Sequence, residues 1–425
     1  MEAQAIWAIV IFLATYALII SEKIHRTIVA ILGAAVMVGV GIIEQETAVH
    51  HIDFNTLGLL IGMMIIVGVT AETGLFNYLA IAAAKKAKGI PVRILIALAL
   101  ITAVGSAFLD NVTTILLMIP VTFSITRKLK VNPIPFLLTQ VIASNVGGTA
   151  TLIGDPPNIM IGSAVEELTF NAFLLNLAPI IGVIMLVYAA IFWLLFRKQL
   201  RASEEDIRSL MEMDEKLLIT DRKLLTKCLV ALGLTLIGFF THQLLHLESA
   251  TVALGCAFLL LLLTGEKAME NALHKVEWTS IFFFVGLFVL VGGLEVTGVI
   301  SKLAESAMDW TGGDPVATPM LILWLSAIAS SVLDNIPFVA TMIPLIQEIG
   351  TMGYGNLDPL WWSLALGACL GGNGTLIGAS ANLVAASLAA KEGHTITFLR
   401  FLKFGFPLML VSIAISSVYV YLRYL

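Results

Sequence analysis

SAFLDNVTT (Ser106–Thr114) and SSVLDNIPF (Ser330–Phe338) are one motif occurring twice, 224 positions apart. The same shift lays Met118-Ile119-Pro120 on Met342-Ile343-Pro344 and GGTATLIGDPPN (Gly147–Asn158) on GGNGTLIGASAN (Gly371–Asn382). No gap is needed from about Asp53 to Arg400. Seven of fifteen positions from Ser106 to Pro120 are identical to their counterparts, and seven of twelve from Gly147 to Asn158. In a very apolar chain such duplication marks a secondary transporter whose site lies where the halves meet.

Composition places the 425 residues in a bilayer: 59% are hydrophobic, only 12% charged, and mean hydropathy is +0.97. The net charge of −5 forms no basic stripe for nucleic acid, and the cysteines Cys228, Cys256 and Cys369 lie in apolar runs that suggest no disulfide framework. The first apolar run lacks a basic leader or a cleavage site and reads as a first span. At about twenty apolar residues per crossing, spans are expected at Ala5–Ser21, Thr27–Ile43, Phe54–Ala71, Phe136–Ser163 and Asn171–Phe196. The second set is Leu224–His242, Ser249–Gly265, Glu277–Glu295, Leu360–Ala389 and Thr397–Arg423.

Between the third and fourth span of each set runs an apolar stretch with Asp-Asn in its middle, Ile94–Ile125 and Val316–Ile349. One crossing would bury that carboxylate at the helix centre. About 32 residues instead allow two half-depth helices, a re-entrant hairpin with Asp-Asn at the tip. With the N-terminus outside, 22 of the 24 Lys and Arg residues fall in cytoplasmic segments, leaving Lys302 and Arg423 outside. Five spans are an odd number, so the second half runs inverted. The expected fold is an all-α polytopic membrane protein of about ten transmembrane helices and two hairpins. Residues 1–196 form one repeat (hairpin about 94–127, broken helix about 136–163). Residues 197–223 are a charged cytoplasmic linker read as an amphipathic helix. Residues 224–425 form the second repeat (hairpin about 316–349, broken helix about 360–389), leaving both termini outside the cytoplasm.

Four polar constellations fall at mid-depth. The hairpin tips supply Asp110, Asn111, Thr113 and Thr114, and opposite them Asp334 and Asn335. The fourth span of each half is interrupted by glycine pairs and, in one half, Pro156-Pro157, none of which can continue a helix. Backbone groups freed there are tolerated only where they line a cavity or bind something. Asn145, Gly148, Thr149, Thr151, Asp155 and Asn158, with Gly372, Asn373, Thr375 and Asn382, are therefore candidate substrate or ion ligands. Glycines and amides in membrane helices also serve close packing and helix bridging, but two symmetric pairs carrying carboxylates argue for a site. Asp110, Asp334 and Asp155 are the candidate proton carriers, and only Asp155 lacks a twin, Ala379 standing opposite. It could alternatively cap a half-helix. No Lys or Arg lies in either hairpin or broken helix, so the site suits a proton, a small cation or a neutral polar solute over a multivalent anion. His242 and His246 lack a nearby third ligand and read as loop residues. No phosphate loop, nucleotide fingerprint or nucleophile–base pair suggests an enzyme, a cofactor or a resident metal.

FLDNVTT (Phe108–Thr114), SNVGGTATLIGDPPN (Ser144–Asn158), LDNIPF (Leu333–Phe338) and GGNGTLIGASAN (Gly371–Asn382) resemble the signatures of the arsenite–antimonite efflux permeases. They equally resemble the P protein of the same ion transporter superfamily. The resemblance implies a homodimer in the plasma (inner) membrane whose early spans form a scaffold. Hairpins and broken helices would form a transport domain moving as an elevator, and a separate ATPase subunit is a conceivable partner. The substrate expected first is arsenite or antimonite exchanged for protons, with Cys369 as a conceivable thiol contact. The alternatives are a sodium/proton antiporter and a P-protein-like anion transporter.

Overall fold

The computed structural model describes all residues except 1, 22 and 242–244, and of 2 and 266–268 only the backbone. Every regular element among the described residues is helical. The first half comprises α1 (Glu2–Ser21), α2 (Arg26–Gly39), α3 (Gln45–His50), α4 (Phe54–Glu72), α5 (Leu75–Lys86), α6 (Pro91–Phe108) and α7 (Asn111–Lys128). It continues through α8 (Ile134–Gly148), α9 (Pro156–Ala164), α10 (Phe170–Asn176) and α11 (Ala178–Phe196). The short α12 (Glu204–Met211) lies in the linker. The second half comprises α13 (Arg222–Thr241), α14 (Ser249–Thr264), α15 (Glu266–Lys275), α16 (Trp278–Val296), α17 (Val299–Thr311) and α18 (Ala317–Val332). The chain ends through α19 (Asn335–Thr351), α20 (Asp358–Gly371), α21 (Ser380–Lys391) and α22 (Phe398–Tyr424).

The shift of 224 governs helix starts as well as letters. Phe54, Leu75, Asn111, Ile134 and Pro156 begin α4, α5, α7, α8 and α9, and Trp278, Val299, Asn335, Asp358 and Ser380 begin their counterparts. Local chemistry fixes several of these points. Asp53 caps α4, its Oδ1 accepting from Asn55 N and Thr56 N at 3.0 Å. Proline opens α6, α8, α9, α11 and α20, where its missing N–H costs nothing. Gly74 and Gly298 turn the chain at φ +77° and +74°, a conformation that L side chains rarely adopt. They set off α5 and α17, two helices that the span count above does not include.

Three other expectations differ in detail. The hairpin arms α6 and α7 have 18 residues each, and α18 and α19 have 16 and 17, so at roughly 1.5 Å per residue they are longer than half-depth. Pro91 starts the first arm earlier than hydropathy suggests, and α7 passes through Pro120 to Lys128. Seven described helices, α1, α4, α6, α11, α13, α16 and α22, are long and apolar enough to cross a membrane by length and composition. The expected span Thr27–Ile43 contains a helix of only 14 residues, because the chain turns at Gly41 (φ +74°). The linker is one short helix capped by Ser203 and a single 3-10 turn, Glu215–Leu218. Both lie against the first half, through α7 and α5.

Packing crosses between halves. α4 lies on α14 and α2 on α16, while α6 pairs with α8 and α18 with α20 inside each half. Gly62 lets α4 approach Ala253 and Gly286 lets α16 approach Ala30, where a Cβ would sit 2.6 and 2.7 Å from backbone carbon. Small residues thus create the cross-pairing directly. α7 packs on α21 and α9 on α19, which brings the two hairpin tips to the two helix breaks.

Candidate functional site

Six helices, α2, α7, α9, α16, α19 and α21, begin around one cavity of about 30 Å³ lined by Arg26, Asp110, Asn111, Asp155, Pro156, Glu277, Ser280, Asn335 and Ser380, with apolar walls including Met64 and Phe284. By volume it has room for on the order of two water molecules.

Asp155 stands at its centre and is fully buried. The amides of both hairpin tips turn to it: Asn111 Nδ2 donates to Oδ1 at 3.3 Å, and Asn335 Nδ2 to both oxygens at 3.3 Å. Asp155 precedes α9, yet its side chain accepts no capping bond from that helix, so the capping alternative does not describe it. Asp110 does cap: it accepts from Thr113 N at 2.8 Å and from the Thr113 hydroxyl, while Thr114 Oγ1 donates to the Asp110 carbonyl at 2.9 Å. Asp334 is bound differently. It accepts from Ile336 N at 3.3 Å, from Ser380 Oγ at 2.8 Å and from the Arg26 guanidinium at 2.6 Å.

Arg26 is the main residue that sequence reasoning missed. It arrives from the start of α2, lies over the Phe283 ring at 5.0 Å and also donates to Ser380 Oγ at 2.7 Å. The absence of basic residues from the hairpin tips and helix breaks therefore does not leave the site without a cation, because a distant helix supplies one. Glu277 at the start of α16 was missed too, its Oε2 accepting from Ser280 Oγ at 3.1 Å. One signal for it existed in the repeat: Glu277 is the twin of Asp53, and Ser280 of Thr56, whose hydroxyl donates to Asp53 at 2.5 Å.

A second layer closes the breaks. Asn145 Nδ2 donates to Asn373 Oδ1 and Asn382 Oδ1, each at 2.9 Å, and its own oxygen accepts from Asn111 at 3.3 Å. Asn158 Nδ2 donates to the carbonyls of Thr149 and Thr151 (3.2 and 2.9 Å), as Asn382 Nδ2 does to those of Gly372 and Thr375 (2.8 and 2.9 Å). These two asparagines satisfy carbonyls that the interrupted helices release. Thr149 Oγ1 returns to the Asn145 carbonyl at 2.8 Å. Thr151 and Thr375 tie each break to the facing hairpin arm through the carbonyls of Ala107 and Ser331. A Cβ on Gly148 would lie 2.5 Å from Gly154 O, and on Gly372 3.0 Å from Gly378 O, so both glycines serve a tight loop. Cys369 takes the place that Asn145 holds in the other half and donates to Asn158 Oδ1 at 3.4 Å. Asn373 Nδ2 is buried without a partner. The structure thus gathers Asp110, Asn111, Asp155 and Asn335 on the cavity, holds Asp334 next to it through the lining residues Arg26 and Ser380, and places Asn145, Asn158, Thr149, Thr151, Cys369, Asn373, Thr375 and Asn382 behind it. His246 is exposed, and His242 lies outside the described residues.

Residues 16–367 match the family model described as "Citrate transporter". The chain belongs to that family. It is a multi-pass membrane transporter with relatives at full length. A transporter of Mycobacterium tuberculosis, described as uncharacterized, is 44% identical over 427 residues, 99% of each chain, and a 46 kDa membrane protein of Mycobacterium leprae is 42% identical over 429, again 99% of each. The P protein of Mus musculus is 36% identical, with the whole of this chain covering 61% of that protein. Among solved structures, the Alcanivorax borkumensis YdaH transporter aligns with a TM-score of 0.62 over 98% of this chain and 97% of its own at 13% identity, a likeness of fold.

Proposed function

We propose that the chain is a proton-coupled secondary active transporter, a homodimer of inverted repeats, that exports a small uncharged hydroxylated solute, arsenite or antimonite, in exchange for protons. The size of the cavity carries this reading. About 30 Å³ of space with polar groups set in apolar walls suits a solute of a few heavy atoms such as arsenous acid, whereas a citrate ion would require the site to open. Charge supports the same conclusion. Three lining carboxylates, and Asp334 paired with Arg26 beside them, are balanced by that one guanidinium and six helix N-termini, each contributing on the order of half a positive charge. These nearly cancel, so neither a multivalent cation nor a multivalent anion is favoured. Hydroxyls of the solute would be met by the amides of Asn111 and Asn335. Asp155, buried between the two tip amides with neither the capping role of Asp110 nor the ionic partner of Asp334, is the carboxylate that would cycle a proton. The hairpins and helix breaks would travel as one body against α2, α4, α14 and α16.

One observation favours a second reading, transport of a carboxylated anion: Arg26 reaches the cavity, and the family's description names citrate. Proteoliposomes under an imposed pH gradient separate the readings by comparing arsenite, sodium and citrate fluxes. We expect arsenite accumulation driven by the gradient, lost in Asp155→Asn while arsenite exchange without a gradient persists. Gradient-driven citrate or sodium flux without arsenite flux would replace the leading reading.

A further inference from the structure

The two repeats dock on the cross-paired helices in different registers. On one side, Ser163 near the end of α9 donates to Asp53 Oδ1 at 2.8 Å and accepts from Asn55 Nδ2 at 3.1 Å. The repeat maps Asp53 onto Glu277 and Ser163 onto Ser387. Ser387 is nevertheless exposed, with no hydrogen bond among the described residues. Glu277 instead shares its cavity with Ser380, the first residue of α21, which Arg26 holds at 2.7 Å. Arg26 is itself the counterpart of Ala250, whose N–H binds Asn55 at 3.0 Å on the other side. Helix contacts repeat the mismatch: α9 packs on α4, and α21 has no comparable contact with α16. Equivalent docking points therefore face positions seven residues apart on the two half-helices: Asp53 bonds Ser163, whereas Glu277 shares its cavity with Ser380, the counterpart of Pro156.

Resting on the moving-domain reading above, we infer that the other end state of the cycle is this one with the two registers exchanged. Ser387 then docks on Glu277, Pro156 lies beside Asp53, and the Arg26–Asp334 and Asp53–Ser163 contacts are broken. Seven residues at roughly 1.5 Å each make the travel along α9 and α21 about 10 Å. The exchange follows from the duplication, since identical half-folds permit each half to adopt the conformation of its twin. Arg26 thereby alternates through the cycle, holding Asp334 in one state and releasing it in the other.

Cysteine pairs test this in reconstituted protein, with the single substitutions as controls for the native thiols. Asp53→Cys with Ser163→Cys, and Glu277→Cys with Ser380→Cys, should each cross-link and arrest transport in the present state. Glu277→Cys with Ser387→Cys should cross-link as well and trap the opposite state, as should Asp53→Cys with Pro156→Cys, the latter pair guarding against loss of fold in the former. Spin labels at Asp53 and Ser163 should show two distances, the longer exceeding the shorter by roughly half the travel or more. If both present-state pairs arrest transport but neither opposite-state pair ever forms, the exchanged register is wrong while a moving domain stands. If verified cross-links of the present-state pairs leave turnover intact, the moving domain falls with it.

Discussion

Asp110 and Asp334 share one motif but not one environment. Asp110 caps its own helix, and asparagine at that position would still accept from Thr113 N. Asp334 neutralises Arg26, whose side chain is 27% exposed beside a carboxylate 9% exposed. Removing one partner of a fully buried pair costs about 3–5 kcal/mol. Partial exposure lowers the expected loss for Asp334→Asn to roughly 1–3 kcal/mol, against well under that for Asp110→Asn. Denaturation in detergent should show this order, and Arg26→Gln should recover part of the loss in a double-mutant cycle. Equal losses with no coupling would show that the ion pair is incidental. The motif residues were legible because each break needs Asn and Thr to satisfy freed carbonyls. Arg26 was not: a basic residue at a helix start expected on the cytoplasmic side is already accounted for by the positive-inside rule, and only folding brings it to a position 308 residues away.

Among the elements, the start of α4 was readable where its capping aspartate fixes it, and that of α8 to within two residues, whereas α6 begins at Pro91, ahead of the expected Ile94. α5 and α17 were hidden because their glycine-led, mixed sequences lack the apolar length of a span. The linker shows a related limit, since a charge run does not state what it will dock on. Here Lys130 Nζ meets Asp206 at 2.8 Å and Lys85 Nζ meets Glu215 at 2.6 Å. The Lys130 bond, aided by Ser203, holds the Asp206 carboxyl below the usual range, and the Lys85 bond does the same for Glu215. A lowered carboxylate pKa stabilises the docked form above the ordinary value, and that contribution is lost as pH falls through the depressed one. Amide protection of α12, corrected for intrinsic exchange, should therefore hold through neutral pH and fall only below about pH 4, and earlier at high salt. Loss of protection already near pH 6, or none under strong acid, would show that these bridges do not hold the linker.

At the scale of the whole molecule, the predicted sidedness is open to direct labelling. Lys128 ends α7, Gly353 lies just past the end of the corresponding α19, and both are exposed. In an inverted arrangement, Lys128→Cys should react with an impermeant maleimide only from the cytoplasmic face and Gly353→Cys only from the opposite one. Reaction of both from one face would mean that the halves are parallel. The duplication itself was visible in the letters, because glycine breaks and Asp-Asn tips tolerate little change. Which helix of one half lies against which helix of the other was not, since that depends on the shapes of surfaces around Gly62 and Gly286, and small residues occur throughout the chain.

The exchange of partners between α4 and α14, and between α2 and α16, also bears on biosynthesis. When the first half leaves the ribosome, the faces of α2 around Ala30 and of α4 around Gly62 have no helices to receive them, so this packing cannot close until the second half of the chain follows. Two separate chains of half this length could make the same mutual exchange. Joining the two halves in one chain keeps together an interface that neither half completes alone.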